Sequence, residues 1–274
     1  MLGMLTVTPA AILDGTENTA TLAWNFNSGS EAFDYLSTGE ALILTYTVTA
    51  TDDDGTPLSD SETVTITITG TNDAPVITDG PDTADLDETN AGLSTSGTLT
   101  VSDVDTTDTV AATTTLAVSG TSDRSDSAAR SDADLLAMLT VTPAVILDGT
   151  ENTATLAWNF NSGGEAFSYL ANGETLVLTY TVTTTDDDGN PLADSETVTI
   201  TITGTNDAPV ITDGPDTADL DETDAGLTAS GTLTVSDVDT SDTVNATRTL
   251  AVSGTSDRSD AAAPDDATLL GMLT

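Results

Sequence analysis

The sequence predicts an all-β protein made of tandem antiparallel β-sandwich repeats with a period of about 134 residues. Three observations carry this: apolar residues alternate with polar ones, Gly/Asp/Asn-rich turns interrupt the alternation, and long segments return almost verbatim.

The strands can be read in chain order. "ATLAWNF" places Leu22, Trp24 and Phe26 on one face, and "ALILTYTVTATD" does the same with Leu42, Leu44, Tyr46 and Val48, with mostly threonine opposite. "SETVTITITG" (Val64, Ile66, Ile68) and "SGTLTVSD" (Leu99, Val101) repeat the pattern. Alternation with β-branched threonines on the wet face predicts antiparallel strands packed on one side. Breaks such as "FNSGS" and "TDDDGTPLSD" supply the turns, and several short strands per repeat point to a two-sheet sandwich. "SDADLLAML" predicts a short helix near Asp132, with a polar start and an apolar Leu135–Leu136–Met138 cluster. A lone tryptophan on an alternating strand belongs in a core more often than on a sugar-stacking surface, so Trp24 and Trp158 are assigned to the core.

"MLTVTPAAILDGTENTATLAWNFNSG" from Met4 returns as "MLTVTPAVILDGTENTATLAWNFNSG" from Met138, and "GMLT" begins a third pass. A period of this length suits a whole domain rather than one solenoid turn. On this reading residues 1–71 are the C-terminal part of one repeat, 72–205 a complete repeat, and 206–274 the N-terminal part of the next. The chain then looks like a window on something longer. Each half-repeat leaves a sheet edge and half a core to be covered. Three arrangements would cover them: a longer array, pairing of the halves within one chain, or head-to-tail association of neighbouring copies.

Composition narrows the function. The formal charge is −42, from 46 acidic and 4 basic residues, and there is no histidine, cysteine or lysine. Such a polyanion repels nucleic acid and anionic membranes, and no apolar run is long enough for membrane insertion. "MLGMLTVTPA" lacks the basic-then-apolar pattern of a secretory signal. Missing histidine, cysteine and lysine remove most general bases and covalent nucleophiles, so an enzyme is not expected.

The acids gather at strand ends. In the complete repeat they form Asn72–Asp73, Asp103–Asp105–Asp108, Asp186–Asp187–Asp188, and Asp85–Asp87–Glu88, with Glu174 of "NGETL" a further candidate. Calcium takes six to eight oxygen ligands, and a D-x-D loop offers two carboxylates on one side of an extended chain. There is no EF-hand loop. The competing reading makes these acids turn formers and strand-end gatekeepers on a salt-adapted surface. Salt adaptation explains surface charge in general but not its clustering. Asp52 and Asp186 are candidates from the "DDDG" runs, whereas Asp53, Asp54, Asp187 and Asp188 read as solvated turn residues. Glu88 stays open between a ligand and an exposed strand start.

"LTYTVTATDDDGTPLSDSETVTITITGTNDAPVI", followed by "SGTLTVSDVDTTD", resembles bacterial VCBS and cadherin-like repeats over essentially the whole period. That resemblance implies an Ig-like, cadherin-like sandwich occurring in tandem in large secreted adhesins. It also implies Ca2+ at the junctions. "TNDAP" is similar to the cadherin linker, which implicates Asn72, Asp73, Asn206 and Asp207. "SDVD" resembles the following domain's D-A-D loop, implicating Asp103, Asp105, Asp237 and Asp239. The aspartate after "TVTAT" or "TVTTT" implicates Asp52 and Asp186. The cadherin L-D-R-E motif has no clean counterpart, although Glu40 and Glu174 lie in about the right loop. The expected function is a calcium-stiffened extender of an extracellular, cell-surface adhesin or a self-assembling surface filament. The alternative is a carbohydrate- or ligand-binding adhesion module. The expected partners are neighbouring copies of the repeat, with no nucleic acid.

Overall fold

The computed structural model describes residues 2–53, 55–126, 128–255, 258–259 and 263–274. After a 3-10 turn at Leu2–Met4, strands β1 (Leu5–Thr8) and β2 (Ala23–Phe26) pair antiparallel. Strands β3 (Ala41–Thr51) and β4 (Ser59–Thr69) form a hairpin paired along its whole length. The central elements are β5 (Val76–Ile77), β6 (Asp82–Asp87), β7 (Ser94–Ser102), β8 (Thr109–Gly120), helix α1 (Asp132–Leu136), β9 (Leu139–Thr142), β10 (Val145–Asp148), β11 (Thr153–Asn161), β12 (Thr175–Asp186) and β13 (Ala193–Thr203). Strands β14 (Val210–Ile211) and β15 (Val235–Ser236) and helix α2 (Asp266–Gly271) follow.

The central strands make two facing sheets, in the orders β10-β8-β12-β13-β6 and β5-β7-β11-β9. Their pairing is antiparallel except that β6 runs parallel to β13. The first strand is divided: β5 pairs with β7 in one sheet, and after a glycine at φ 128, Gly80, the chain enters the other sheet as β6. A side chain at that φ would be strained.

Alternation in sequence becomes alternation in burial. Leu176, Leu178, Tyr180 and Val182 of β12, Val198, Ile200 and Ile202 of β13, and Leu99, Val101, Leu156 and Phe160 of the other sheet are fully buried. Burying one such side chain contributes about 1.5–3 kcal/mol relative to leaving it in water. Helix α1 begins at Ser131, whose hydroxyl accepts the Asp134 N–H, with Asp132 and Asp134 in its first turn where the helix dipole favours acids. Leu135 is buried, and its carbonyl accepts the Tyr180 hydroxyl at 2.7 Å. The helix thus plugs one side of the sandwich.

The flanking segments carry the same alternation without the cover. Leu42, Leu44 and Val48 of β3 are only half-buried, whereas their counterparts in β12 are inaccessible. Leu233, Val235 and Val244, the counterparts of Leu99, Val101 and Val110, are exposed. The two tryptophans separate likewise: Trp158 is core, and Trp24 is exposed. The assignment of Trp24 to the core is therefore corrected; its strand lacks the opposite half of a sandwich.

Candidate cation site at one end of the sandwich

Three loops meet where β12 ends and β7 turns into β8. The Asp73 N–H donates to the Asp105 carboxylate at 2.7 Å, the Asn72 side-chain amide donates to Asp186 at 3.1 Å, and the Asp105 N–H donates to Asp103 at 3.1 Å. Asp186 is also gripped by the Leu192 N–H, at 3.1 and 3.0 Å to its two oxygens, which closes the "DDDG" turn. Asn72, Asp73, Asp103, Asp105 and Asp186 are thus brought together. Asp108 joins them through its N–H to the Asp105 carbonyl.

These acids are not solvated turn residues. Asp103, Asp105 and Asp108 are 3%, 1% and 4% exposed, yet Asp103 Oδ2, Asp105 Oδ1 and Asp108 Oδ2 have no hydrogen-bond partner. Asn72 Oδ1 and Asp188 Oδ2 are also buried and unsatisfied. Native interiors leave few such atoms, because a buried oxygen without a donor forfeits its hydration. Burial, helped by the charges of Asp105, Asp186 and Asp73, pushes the Asp103 carboxyl up to about 6. Burial likewise raises Asp108 to about 6, with Asp188, Asp105 and Asp103 adding to the effect. Asp105 is raised by burial, with Asp73, Asp188 and Asp186 contributing. No arginine offsets this charge: Arg124, Arg130 and Arg258 pair with Asp132, Glu165 and Asp266, and Arg248 donates to the Leu270 carbonyl. Among the described residues, no group of three or more acidic side chains is already arranged to hold a metal ion. Mutual repulsion opposes their closing on one centre unaided.

The preceding segment touches this end directly. The Ser37 hydroxyl lies 2.7 Å from the Thr107 hydroxyl, beside the D-x-D loop. The same local design recurs at the far end of the sandwich. The Asp207 N–H donates to Asp239 at 2.8 Å, the Asp239 N–H donates to Asp237 at 3.1 Å, and Asp207 Oδ2 and Asp239 Oδ1 are buried without partners. Asn206 there donates its amide to the Asp207 carbonyl. Burial raises the Asp239 carboxyl, with Asp242, Asp207 and Asp237 adding to the effect.

No family model and no curated protein sequence matches the chain. Among solved structures it is similar to extracellular cadherin domains 1–5 of protocadherin gamma B2, at 15% identity and TM-score 0.37 over 74% of this chain and 33% of that one. It is also similar to domains EC3-6 of protocadherin gammaB7, solved as a cis-dimer, at 15% identity and TM-score 0.36 over 76% of this chain and 43% of that one. A third is the CooA pilin subunit from enterotoxigenic Escherichia coli, at 11% identity and TM-score 0.31 over 48% of this chain and 97% of that one. The chain spans less than half the length of the two protocadherin chains.

The other sequence candidates lie elsewhere. Asp52 directly follows β3 at the pole away from Gly70 and accepts the Leu58 N–H at 3.0 Å, as Asp186 accepts that of Leu192. Glu88 is buried beside the exit of β13, where its carboxylate accepts the Thr205 N–H and hydroxyl at 3.2 and 2.7 Å. Glu174 accepts the Ala171 N–H at 3.2 Å at that same end. Asp54 lies outside the described residues.

Two residues of the cluster escape a reading by motif. Asp188 is half-buried with an orphan oxygen, not a solvated turn residue. Asp108 groups with Asp103 and Asp105 in sequence but has no place in the cadherin-like ligand set, and it is buried with an orphan oxygen. Asp187 does behave as a turn residue, exposed and accepting the Thr109 N–H at 2.8 Å.

Proposed function

We propose that this chain is part of a calcium-stiffened array of β-sandwich repeats, serving as an extender or filament of an extracellular surface adhesin. The repeats would meet at Thr71–Asn72 and Thr205–Asn206, and neighbouring copies would associate head to tail to cover the open halves. The observation that supports this reading best is the set of buried, unpartnered oxygens on Asp103, Asp105 and Asp108, beside the linker that joins one repeat to the next.

Those oxygens suit a divalent cation. They are hard carboxylate donors, uncompensated by arginine, with the Asn72 amide oxygen adding a neutral one. Asn72, Asp73, Asp103, Asp105, Asp108, Asp186 and Asp188 would hold it. The corresponding set at the second junction is Asn206, Asp207, Asp237 and Asp239. A bound calcium supplies the positive charge that makes these carboxylates stable when buried together. The chain's own residues do the rest. Asp105 fixes the linker backbone at Asp73, Asp186 fixes the Asn72 side chain, and Ser37 on Thr107 seats the preceding segment against the D-x-D loop. With both sides of the linker held, the repeats keep one relative direction, which is what a spacer requires.

Calorimetry and limited proteolysis of the same protein in calcium and in chelator test this. Calcium should raise the melting temperature and suppress cleavage near Asn72 and Asn206. Identical melting and identical cleavage in both would sink the reading. Titration calorimetry would then count the ions per junction.

A further inference from the structure

Within the central sandwich one side chain ties the two sheets together. Trp158 on β11 stands in register with Gly97 on β7, and its Nε1–H donates to the Asp82 carboxylate on β6 at 2.6 Å. The indole occupies space that only glycine leaves: a Cβ on Gly97 would lie 2.5–2.7 Å from three indole atoms. Trp158 is 3% exposed as a result.

The components of this lock occur again, separated. Residues 206–274 hold Asp216 and Gly231, the counterparts of Asp82 and Gly97, with no tryptophan. Residues 1–71 hold Trp24, the counterpart of Trp158, and it is 52% exposed. Between Asp216 and Gly231 lies a groove of about 910 Å³, lined also by Ile211, Leu233 and Leu273. The Asp216 carboxylate leans into it, 2.8 Å from where a Cβ on Gly231 would stand. Around the groove Leu233 is 54% exposed, whereas its counterpart Leu99 is fully buried.

We propose that Trp24 of one copy of this chain inserts into the Asp216–Gly231 groove of a second copy, and that this anchor joins residues 1–71 of the first to residues 206–274 of the second as one complete sandwich. The proposal rests on the head-to-tail reading above and specifies its contact. The central repeat supplies the register. Tyr180 pairs with Leu116 and Val198 with Asp82, so Tyr46 would pair with Leu250, and Val64 with Asp216 in parallel. Within one chain the two halves start far apart. They leave the sandwich at opposite ends of β12, twelve residues long and so about 36 Å apart at ~3.3 Å per residue, and neither is attached through a long linker. A second copy carries both complements, a Trp24 strand for the groove and a groove for Trp24. Apart from Arg248 and Arg258 the two halves carry only acids, so the union should tighten with salt or divalent cation.

Sedimentation velocity on the full chain in calcium tests the anchor, with Trp24→Ala and Gly231→Leu measured alone and mixed. Wild type should gain mass with concentration, and each variant alone should need about thirtyfold higher concentration, as loss of a buried tryptophan anchor implies. The equimolar mixture should stop at two chains, because each variant keeps one intact end. Acrylamide quenching needs no substitution. Of the two tryptophans, one should be quenchable in dilute wild type and neither in concentrated wild type. If wild type assembles while the variants assemble equally well, or Trp24 stays quenchable, the anchor is wrong and head-to-tail association survives in another form. If both variants are monomers and their mixture is too, the anchor is equally overturned. If wild type is a single chain at every concentration, head-to-tail association itself fails, and the anchor with it.

Discussion

The backbone N–H of Asp73 donates to the carboxylate of Asp105 at 2.7 Å, so the linker is held by the loop that carries the acidic cluster. One side chain therefore has two separable duties, a neutral one as acceptor and a charged one. Asp105→Asn keeps an oxygen for the Asp73 N–H and removes the charge. In chelator its melting temperature should equal or exceed that of wild type, since one like charge is gone. In calcium it should fall short, with affinity weakened by about tenfold or more. Asp105→Ala also strands the Asp73 N–H, adding about 1–3 kcal/mol of destabilisation visible even in chelator. Thermal melts of both variants under both conditions check this; equal behaviour of Asn and Ala would refute the division of duties.

Raised carboxyls give the pH dependence a definite sign. Asp103 and Asp108 titrate at about 6 when folded against an ordinary 3.8, both chiefly through burial. Between those values the folded state keeps protons that the unfolded state has released, so stability falls as pH rises through the window and the penalty is complete above it. Without divalent cation, the protein should melt higher at about pH 5 than at about pH 7. With calcium the trend should reverse, because binding requires deprotonated ligands. Scanning calorimetry across that range, with and without chelator, checks both signs.

Much of the fold was legible because its strands bury one face. Leu176, Leu178 and Tyr180 announce themselves by alternation, and the "DDDG" and "FNSG" breaks mark their ends. The division of the first strand into β5 and β6 was only half legible: Gly80-Pro81 in "VITDGPDTADLD" marks a break, but nothing in the stretch says that its two halves serve different sheets. Strand ends alone gather the "NDAP", "DVD" and "DDDG" acids with those of "DLDET" and "NGETL"; the cadherin-like resemblance singles out the three loops that meet. The burial of Asp108 and Asp188 could not be anticipated, because a turn aspartate and a buried one look alike until the opposing loop is placed. Glu88 shows the converse: its sequence context leaves a ligand and an exposed strand start open, and only the chain's return at Thr205 reveals a buried carboxylate and what it bonds. Trp24 and Trp158 sit in near-identical sequence and differ in exposure because burial depends on which half of the sandwich stands opposite.

Trp158 offers a test of the inter-sheet lock that is independent of any cation. Trp158→Phe retains an aromatic ring but removes the N–H that satisfies Asp82 and leaves part of the slot above Gly97 empty. The expected cost is about 2–4 kcal/mol, the sum of an unpaired carboxylate and a small cavity. Asp82→Asn keeps an acceptor for the indole and should cost less than about 1 kcal/mol. Urea denaturation of the pair decides: similar losses in both would mean that the acidic charge, not the hydrogen bond, matters.

Gly204, in the repeated "TGTNDAP" stretch, is fixed by its surroundings rather than by its own backbone angle. Its N–H donates to the Glu174 carbonyl at 2.8 Å, its carbonyl accepts the Gly173 N–H at 3.0 Å, and a Cβ would stand 2.2 and 2.3 Å from the Leu170 and Ala171 carbonyl oxygens. Gly70 meets the Leu36 and Ser37 carbonyls in the same way, at 2.1 and 2.3 Å. Backbone oxygens cannot rotate aside, so the last strand of the sandwich would have to move away from the 170–174 turn. Gly204→Ala should therefore destabilise the central sandwich by about 2–3 kcal/mol. It should also loosen the second junction, because Thr205, which follows directly, carries the hydrogen bonds to Glu88. Hydrogen exchange distinguishes the two effects: the Thr205 amide should lose protection beyond the global change in the Ala variant, while the Asp73 amide at the other end should follow the global change alone. Equal loss at both amides would show that Gly204 acts on overall stability and has no separate hold on the junction.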